Sequence, residues 1–286
     1  MTAWLAPAKV NFTLMVGPRS ASGLHPVRSL IQTLDWCDRI TLEEGEEDRL
    51  EIEGADLPDG GENLVWKAVG ALEKEAALRR PPLRITLQKR LPVGAGLGGG
   101  SADAAAVLDA LGDMLGVAPV RRRNAAALIG SDVPAALLGG TVRAEGFGEE
   151  VTRLPDLSGF AVAVVVPHFP LLTADVYRMW DDLSEPRGRE FPSRFLPPLL
   201  RRAAPIRNDL TPAALRLRPE LGDLMEEVAG VWERPVAMSG SGSSLFSFFV
   251  DVEEAAGAAG EIEGLASVAV GADLLPHGPV RDEAVT

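Results

Sequence analysis

The 286-residue sequence predicts an α+β protein built in two halves. Segments with the period of strands and segments with the period of helices follow one another without the regular alternation of a parallel α/β sheet. The length also exceeds what one hydrophobic core covers comfortably, so two modest cores are expected. We place the boundary near residues 150–160 and predict an N-terminal domain over 1–155, a C-terminal domain over 156–276 and a tail over 277–286.

The first half opens with a strand that has one apolar face. Apolar residues at positions 10, 12, 14 and 16 alternate with a mostly polar set that includes Lys9 and Asn11. Because successive side chains of a strand point to opposite faces, Lys9 and Asn11 share the polar face. The same periodicities, with glycines and prolines as boundaries, define the remaining elements of this half. Strands are expected at 29–35, 39–42, 49–52 and 83–88, and helices at 64–72, 102–115, 121–129 and 133–138.

The second half opens with a continuous apolar run at 160–166, which predicts a buried strand. Residues 184–205 are rich in Pro and Arg and predict an irregular excursion with a short helix at 195–202. The tail from Pro276 is expected to be frayed. Beyond these segments, helices are expected at 219–232 and 253–263, and strands at 235–238, 245–250 and 267–270.

Composition and charge limit the classes of function. A net charge of −13 disfavours a broad nucleic-acid or anionic-membrane surface, since such a surface needs clustered Lys and Arg. No segment approaches the ~18 apolar residues of a membrane span, and no basic stretch followed by an apolar run marks a secretory signal. Cys37 is the single cysteine, which fits a reducing compartment, and it is expected to be a small buried apolar residue. We therefore expect a cytoplasmic protein, monomeric or weakly dimeric, with a small-molecule ligand and without nucleic-acid or membrane partners.

A glycine-rich segment between a strand and a helix predicts a phosphate-binding loop. Glycines let the backbone approach a ligand closely, and the start of the following helix presents unpaired N–H groups with a partial positive charge. Such a cradle suits a polyphosphate. Ser101 could cap the helix or bind a phosphate or its Mg2+. The candidate nucleotide-binding residues are Pro92, Val93, Gly94, Ala95, Gly96, Leu97, Gly98, Gly99, Gly100, Ser101 and Ala102.

Three other interpretations of this segment are weaker. Gly94, Gly96 and Gly99 match the dinucleotide pattern, but a basic triplet and a helix follow where that fold has a strand ending in an acidic residue. The P-loop requires Lys before its Ser or Thr, and here Ser101 follows glycine directly. A tight turn with a serine cap stays open, although a plain turn needs only one or two glycines.

A second glycine-rich turn, residues 238–244, joins two apolar strands. Taken alone, a hairpin loop explains it equally well. Its Gly240, Ser241 and Gly242 would supply backbone and hydroxyl donors to another anionic group. Two such loops in an acidic protein favour a phosphate-bearing ligand.

Three ordered motifs resemble the GHMP kinases, a family of small-molecule ATP kinases. They are APAKVNF at 6–12, PVGAGLGGGSADAA at 92–105 and MSGSGSS at 238–244, and the resemblance covers about residues 6–250. It implies a two-domain GHMP-kinase-like fold, with an S5-domain-2-like N-terminal half and a ferredoxin-like C-terminal half. It also implies ATP as phosphate donor, with Mg2+ held largely by phosphates and water. No cluster of side chains has metal-site spacing, so no metal-ligating residue is expected.

Further segments narrow the resemblance within that family. GLH at 23–25, SDVP at 131–134, TADVY at 173–177 and NDL at 208–210 are typical of members that phosphorylate the 2-hydroxyl of a cytidylyl-linked methylerythritol, in the non-mevalonate route to isoprenoids. Such members usually carry Tyr where Leu24 stands, and often a second Ser where Ala102 stands. The alternatives are another family member acting on homoserine, mevalonate or a sugar, and a non-catalytic nucleotide-binding protein.

The resemblance implies that Asp132 faces the acceptor hydroxyl as the catalytic base. Asp132 also precedes Val133-Pro134 at a predicted helix start, so a helix N-cap is its other interpretation, and the two roles can coexist. Lys9 is its expected catalytic partner, which would neutralise the transferring phosphate and keep Asp132 ionised.

The remaining candidates would bind the acceptor. The resemblance implies that His25 hydrogen-bonds the cytosine and that Tyr177, the single tyrosine, stacks on it with Thr173 nearby. The other interpretation of Tyr177 is a helix residue packing at the domain junction. The full set of predicted acceptor residues is Asn11, His25, Thr173, Tyr177, Gly240, Ser241 and Gly242.

Overall fold

A computed structural model, described over residues 2–202 and 205–283, confirms the α+β class: two β-sheets are flanked by helices. The strands are β1 (Thr2–Val16), β2 (Val27–Glu44), β3 (Arg49–Glu53), β4 (Leu83–Gln88), β5 (Thr141–Glu145), β6 (Glu150–Arg153), β7 (Ala161–Val166), β8 (Ala237–Met238), β9 (Leu245–Phe249), β10 (Val268–Ala272) and β11 (Val280–Arg281). The helices are α1 (Leu64–Ala76), α2 (Gly99–Met114), α3 (Pro119–Ala127), α4 (Val133–Leu138), α5 (Thr173–Asp182), α6 (Thr211–Leu217), α7 (Glu220–Val231) and α8 (Val252–Glu261).

The two sheets draw on different parts of the chain: β1 to β6 and the C-terminal β11 form the first sheet, and β7 to β10 form the second. The first sheet has the order β11-β1-β2-β4-β3, with β5 also paired to β2 and β6 paired to β5. Its pairs are antiparallel except β3 with β4, which run parallel. The second sheet, β10-β7-β9-β8, is antiparallel throughout.

Strand β1 contributes to three separate hydrophobic cores. Its register against β2 shifts after Pro7 and again after Asn11. The first core lies under α1, α2 and α3, the second lies between the two sheets, and the third lies against α5 to α8. Strand β1 places Trp4 and Ala6 in the first core. It places Ala8, Val10 and Phe12 in the second core, and Leu14 in the third. Lys9 and Asn11 point the other way, as the alternation predicts.

Several predicted boundaries are corrected. The strands predicted at 29–35 and 39–42 are one continuous strand, β2. Helix α2 begins at Gly99, three residues before its predicted start, because Gly98 with φ of 71° reverses the chain there. The helix predicted at 195–202 is absent; two short 3-10 turns flank prolines, which lack the N–H that a helix needs.

The tail also departs from prediction. Residues 280–281 form β11 and pair with Trp4 and Leu5, so this part of the tail is not frayed, whereas residues 284–286 lie outside the described residues. Cys37 is half-buried rather than fully buried, and burial, with the nearby Asp35 and Asp38, raises the pKa of its thiol to about 12. No helix in the described part of the chain is both long and apolar enough to cross a membrane.

Candidate active site

One cleft of about 1220 Å³ collects most of the predicted site residues. Its walls come from β1, the β1–β2 connection, the glycine-rich segment before α2, the turn before α4, and α5. The predicted residues that line it are Lys9, Asn11, His25, Pro92 through Ser101, Asp132, Thr173, Tyr177, Gly240 and Ser241. Two predicted residues do not line it. Ala102 is buried in the first core, and Gly242 packs against Leu171 and Met238.

Lys9 and Asp132 form an ion pair inside this cleft. Lys9 Nζ lies 3.3 Å from Asp132 Oδ2, donates to Asn11 Oδ1 at 2.6 Å and donates to the Gly96 carbonyl at 3.2 Å. The Lys9 side chain is 10% exposed, while that of Asp132 is 42% exposed and open to a ligand. Asp132 occupies the N-cap position of α4 but makes no capping hydrogen bond. Its carboxylate instead lines the cleft and pairs with Lys9.

The glycine-rich segment leaves backbone donors at the start of α2. Ala102 donates to the Gly98 carbonyl at 2.9 Å and is the first residue to make an intrahelical bond. The amides of residues 99–101 precede that bond and are the donors that an anion would meet. The capping alternative for Ser101 is wrong, because the N-cap is Gly98 and Ser101 lies inside the first turn.

Close packing against Lys9 requires glycine at position 98. A Cβ at Gly98 would lie 2.9 Å from Lys9 Cγ and Cε, and its φ of 71° is one that side chains disfavour. The Lys9 amide also donates to the Leu97 carbonyl at 2.9 Å. The loop is thus attached directly to the strand that carries the lysine.

The two glycine-rich loops pack on each other across the two halves. Ser239 Oγ donates to the Gly96 carbonyl at 3.0 Å, and the Ser244 amide donates to the Ala95 carbonyl at 3.0 Å. Asn208 holds the second loop from behind, with Nδ2 donating to the Met238 and Gly240 carbonyls. The motif around Asn208 therefore shapes the site from outside the cleft.

The far end of the cleft is aromatic. The His25 ring stacks on Tyr177 with centroids 5.3 Å apart and planes at 27°, and Trp180 meets its edge. Burial, with the Asp132 charge, raises the pKa of the Tyr177 phenol, so this ring stays neutral. Close by, the Thr173 and Ser241 hydroxyls lie 2.8 Å apart. Leu24 lines the rim of the cleft and is 56% exposed.

Sequence reasoning missed a buried ionic cluster beneath the loop. Lys89 pairs with both Asp38 and Asp103, and the Lys89–Asp103 distance is 2.8 Å. Asp38 also accepts the Arg90 and Leu91 amides at 2.6 and 2.8 Å. Asp103 Oδ1 is buried without a hydrogen-bond partner. Burial, with the Asp38 charge, raises the pKa of Asp103 from 3.8 to about 7 despite the opposing Lys89 charge.

No local signal marks this cluster in the sequence. Lys89 directly follows β4 and Asp103 lies within α2, where each would ordinarily be a solvated residue. Within residues 2–202 and 205–283, no group of three or more His, Cys, Asp or Glu side chains is arranged to hold a metal ion.

Comparison with known proteins shows the family of this chain. The family model described as "GHMP kinases N terminal domain" matches residues 63–140. A 4-diphosphocytidyl-2-C-methyl-D-erythritol kinase of Geobacter metallireducens is 36% identical over 263 residues, 90% of this chain and 92% of that protein. The same-named protein of Caulobacter vibrioides is 37% identical over 274 residues, 90% of this chain and 93% of that protein.

Solved structures share the fold. A crystal structure of 4-(cytidine 5'-diphospho)-2C-methyl-D-erythritol kinase matches with a TM-score of 0.78 and 35% identity, covering 95% of this chain and 98% of that one. Homoserine kinase from Cytophaga hutchinsonii matches with a TM-score of 0.71 at 19% identity over 98% and 97% of the two chains, which shows the fold alone. The predicted GHMP-kinase-like fold is confirmed, and the chain belongs to the 4-diphosphocytidyl-2-C-methyl-D-erythritol kinases of the GHMP kinase family.

Proposed function

We propose that this chain is a cytoplasmic enzyme that transfers the γ-phosphoryl group of ATP to the 2-hydroxyl of 4-diphosphocytidyl-2-C-methyl-D-erythritol, a step of the non-mevalonate route to isoprenoid precursors. The observation that carries the proposal is the Lys9–Asp132 pair, 3.3 Å apart, in the same cleft as the free amides of the glycine-rich loop. A general base beside a phosphate cradle is what phosphoryl transfer to an alcohol requires.

The donor end would be the start of α2. Three successive amides at residues 99–101, two of them without side chains, can approach the β- and γ-phosphates, and the helix dipole favours negative charge there. The charge of the chain does not attract ATP, since the net charge is −13. Local donors must therefore supply the affinity, together with Lys9, whose ammonium lies in the same cleft and bonds to the Gly96 carbonyl.

The transfer itself needs one proton acceptor and one cation. The acceptor oxygen forms a bond to the γ-phosphorus, the bond from that phosphorus to the ADP oxygen breaks, and the hydroxyl proton passes to a carboxylate oxygen of Asp132. Lys9 would stabilise the negative charge on the transferring group. Its bonds to Asn11 and Gly96 fix the ammonium in place before substrate binds, so little reorganisation is needed.

Mg2+ would accompany ATP and neutralise phosphate charge. The Ser101 hydroxyl and the Asp132 carboxylate line the cleft, and oxygen donors are what this ion prefers. Two side chains fall short of its usual octahedral shell, so phosphates and water would supply the remaining ligands. The donor set therefore fits an ion that arrives with the nucleotide.

The acceptor would extend from Lys9 and Asp132 toward the aromatic end of the cleft. Tyr177, backed by His25, offers a neutral ring for the cytosine, with Thr173 and Ser241 beside it. Homoserine, mevalonate and simple sugars carry no nucleobase that would stack on this ring. The aromatic ring of Tyr177 at one end of the cleft, with the catalytic base Asp132 at the other, favours a nucleotide-linked acceptor.

A coupled assay of ADP release with a panel of acceptors tests the proposal. Release only with the cytidylyl acceptor supports it. Release with homoserine, mevalonate or a sugar instead would assign the chain to another member of the family. Tight ATP binding without release under any acceptor would indicate a non-catalytic nucleotide-binding protein.

Asp132→Asn tests the base assignment. Because the amide keeps the shape but accepts no proton, kcat should fall by about 10²- to 10⁴-fold while the fold persists. Lys9→Ala should lower kcat by orders of magnitude as well. The matched control is Asp223→Asn on the exposed face of α7, which should leave turnover unchanged. Near-normal turnover in Asp132→Asn would refute the assignment.

A further inference from the structure

The Asn11 side chain lies between Lys9 and a hydroxyl on the neighbouring strand. Its Oδ1 accepts a hydrogen bond from Lys9 Nζ at 2.6 Å, and its Nδ2 donates to Ser29 Oγ at 2.8 Å. Ser29 Oγ in turn donates to the Thr13 carbonyl at 2.7 Å. Asn11 and Ser29 are both buried, so water has little access to these bonds. A chain of hydrogen bonds therefore runs from the backbone of β1 to the Lys9 ammonium.

Strand pairing places Ser29 within reach of Asn11. In the register of β1 with β2, Asn11 lies opposite Ile31, and the register shifts between Asn11 and Thr13. Because side chains two residues apart on a strand share a face, Ser29 lies on the same face of β2 as Ile31, diagonal to Asn11. Ser29 thus presents its hydroxyl from a position that the sheet fixes.

The donors and acceptors of this chain allow one arrangement of the Asn11 amide. The Ser29 hydroxyl has a single proton, which the Thr13 carbonyl accepts, so Ser29 Oγ is left as an acceptor. The NH2 group is the donor of an amide, so Nδ2 is the atom that faces Ser29. Oδ1 then faces Lys9, whose ammonium donates and does not accept. The serine hydroxyl therefore sets which end of the Asn11 amide is offered to Lys9.

We propose that Ser29 is a positioning residue: it orients the Asn11 amide, and through Asn11 it holds the Lys9 ammonium where phosphoryl transfer needs it. The inference rests on the proposed function, in which Lys9 stabilises the transferring group. Without the hydroxyl, Asn11 Nδ2 is a buried donor with no partner, and the amide is expected to rotate away. Lys9 then loses its 2.6 Å contact with Oδ1, and its ammonium is free to shift toward Asp132.

Ser29→Ala tests this role against a matched serine. Leaving a buried donor unpaired is costly, so kcat should fall at least about fivefold, while the KM for ATP changes little. Ser247→Ala is the control, because Ser247 is also a buried strand residue whose hydroxyl donates at 2.7 Å to a backbone carbonyl, that of Pro235. Ser247 lies on β9 outside the cleft, so its variant should lose stability but keep its kcat. An unchanged kcat in Ser29→Ala, or an equal fall in both variants, would overturn the proposal.

A double-mutant cycle tests whether Ser29 acts through Asn11. If it does, Ser29→Ala should lower kcat in the wild-type background and have no further effect in Asn11→Ala, where the amide is already gone. Single-turnover measurement of ADP formation gives the rates of the slower variants. The same fold-change in both backgrounds would show that the serine acts directly or by general packing, which contradicts the proposal.

Solvent exchange of the Asn11 NH2 protons is a second readout that needs no substrate. The chain has four asparagines, and the Asn11 signal is assigned from its loss in Asn11→Ala. The N–H bonded to Ser29 Oγ should exchange slowly in the wild type and in Ser247→Ala, and faster in Ser29→Ala. Equally slow exchange in Ser29→Ala would mean that the serine does not hold the amide, and the proposal would fail.

The two readouts separate this inference from the proposed function. If the wild type phosphorylates no cytidylyl acceptor, the proposed function fails, and the amide exchange still decides whether Ser29 holds Asn11. If the wild type is active and Ser29→Ala keeps its kcat, the proposed function stands and the role of Ser29 is refuted.

Discussion

Lys9 combines two properties that are seldom found together, a buried amine and contact with an open cleft. Its neighbours on β1, Ala8 and Val10, are fully buried in the core between the sheets, so the strand cannot move without disturbing that core. Asn11 and the Gly96 carbonyl then take up two of the three N–H donors of the ammonium. The third faces Asp132, which places the charge where a transferring phosphate would pass.

Tyr177→Ala tests whether the ring of Tyr177 stacks on the cytosine of the acceptor. Stacking of a base on an aromatic side chain contributes about 1–3 kcal/mol, so the KM for the cytidylyl acceptor should rise about 5- to 160-fold. The KM for ATP should change much less, because the donor loop lies at the other end. Steady-state kinetics with each substrate varied in turn measures the two effects. Tyr177→Phe keeps the ring and serves as the control, and equal effects of Tyr177→Ala on both substrates would contradict base stacking.

At the scale of elements, helix α2 connects the glycine-rich loop to the buried ionic cluster. The loop begins just after Lys89 and ends just before Asp103, and the ion pair between these two residues ties its ends together. Asp38 adds two bonds to the backbone at residues 90–91. The loop can thus contain five glycines and still hold one shape.

The pKa of Asp103 predicts how stability depends on pH. Its folded value of about 7 exceeds the ordinary 3.8, so between these values the folded state holds a proton that the unfolded state has lost. Stability must therefore fall as the pH rises through that window. In Asp103→Asn this contribution is absent, while Lys89 keeps Asp38 as its partner. Urea unfolding at intervals from about pH 5 to 8 should show the wild type losing stability relative to the variant, and parallel profiles would contradict the raised pKa.

Because the two glycine-rich loops contact each other, we expect Gly96→Ala to lower both the stability of the protein and its affinity for ATP. A Cβ there would run into the Ser239 carbonyl oxygen, and the φ of 77° is strained for alanine. We expect a loss of about 1–3 kcal/mol in the free energy of unfolding and a weaker affinity for ATP. Gly230→Ala in α7 is the control, because a Cβ there meets nothing within 4 Å. Wild-type ATP affinity in Gly96→Ala would show that the packing of the loops does not shape the donor site.

Sequence periodicity predicted the positions of some elements correctly and of others wrongly, and each outcome has a physical reason. The alternation in β1 placed Lys9 and Asn11 correctly because one face of the strand must be apolar. The start of α2 was misplaced because glycine disfavours helices, while the fold holds this run in helical geometry from Gly99. Asp38 and Lys89 gave no signal, since their partners lie on other elements and only the tertiary fold brings them together.

At the scale of the whole molecule, the two halves share a core. Phe12, on β1 of the first sheet, packs against Phe160, Phe246 and Phe248 of the second half, with ring centroids 5.1 to 6.2 Å apart. The glycine-rich loops also bond to each other across the same junction. The interior is therefore continuous across the predicted boundary near 150–160, and the cleft lies where the two halves meet.

Phe12→Ala tests whether this shared core makes the halves unfold together. Emptying the space of a phenylalanine that is 1% exposed should lower the free energy of unfolding by about 3–5 kcal/mol. Because Phe12 contacts both sheets, the protection of slowly exchanging amides in β4 and in β9 should fall by the same factor in hydrogen-exchange measurements. Leu128→Ala, at a position 62% exposed, is the control and should change stability by less than about 0.5 kcal/mol. Faster exchange in β4 while β9 keeps its protection would mean that each half has a stable core of its own, and that the shared phenylalanines do not make the halves unfold together.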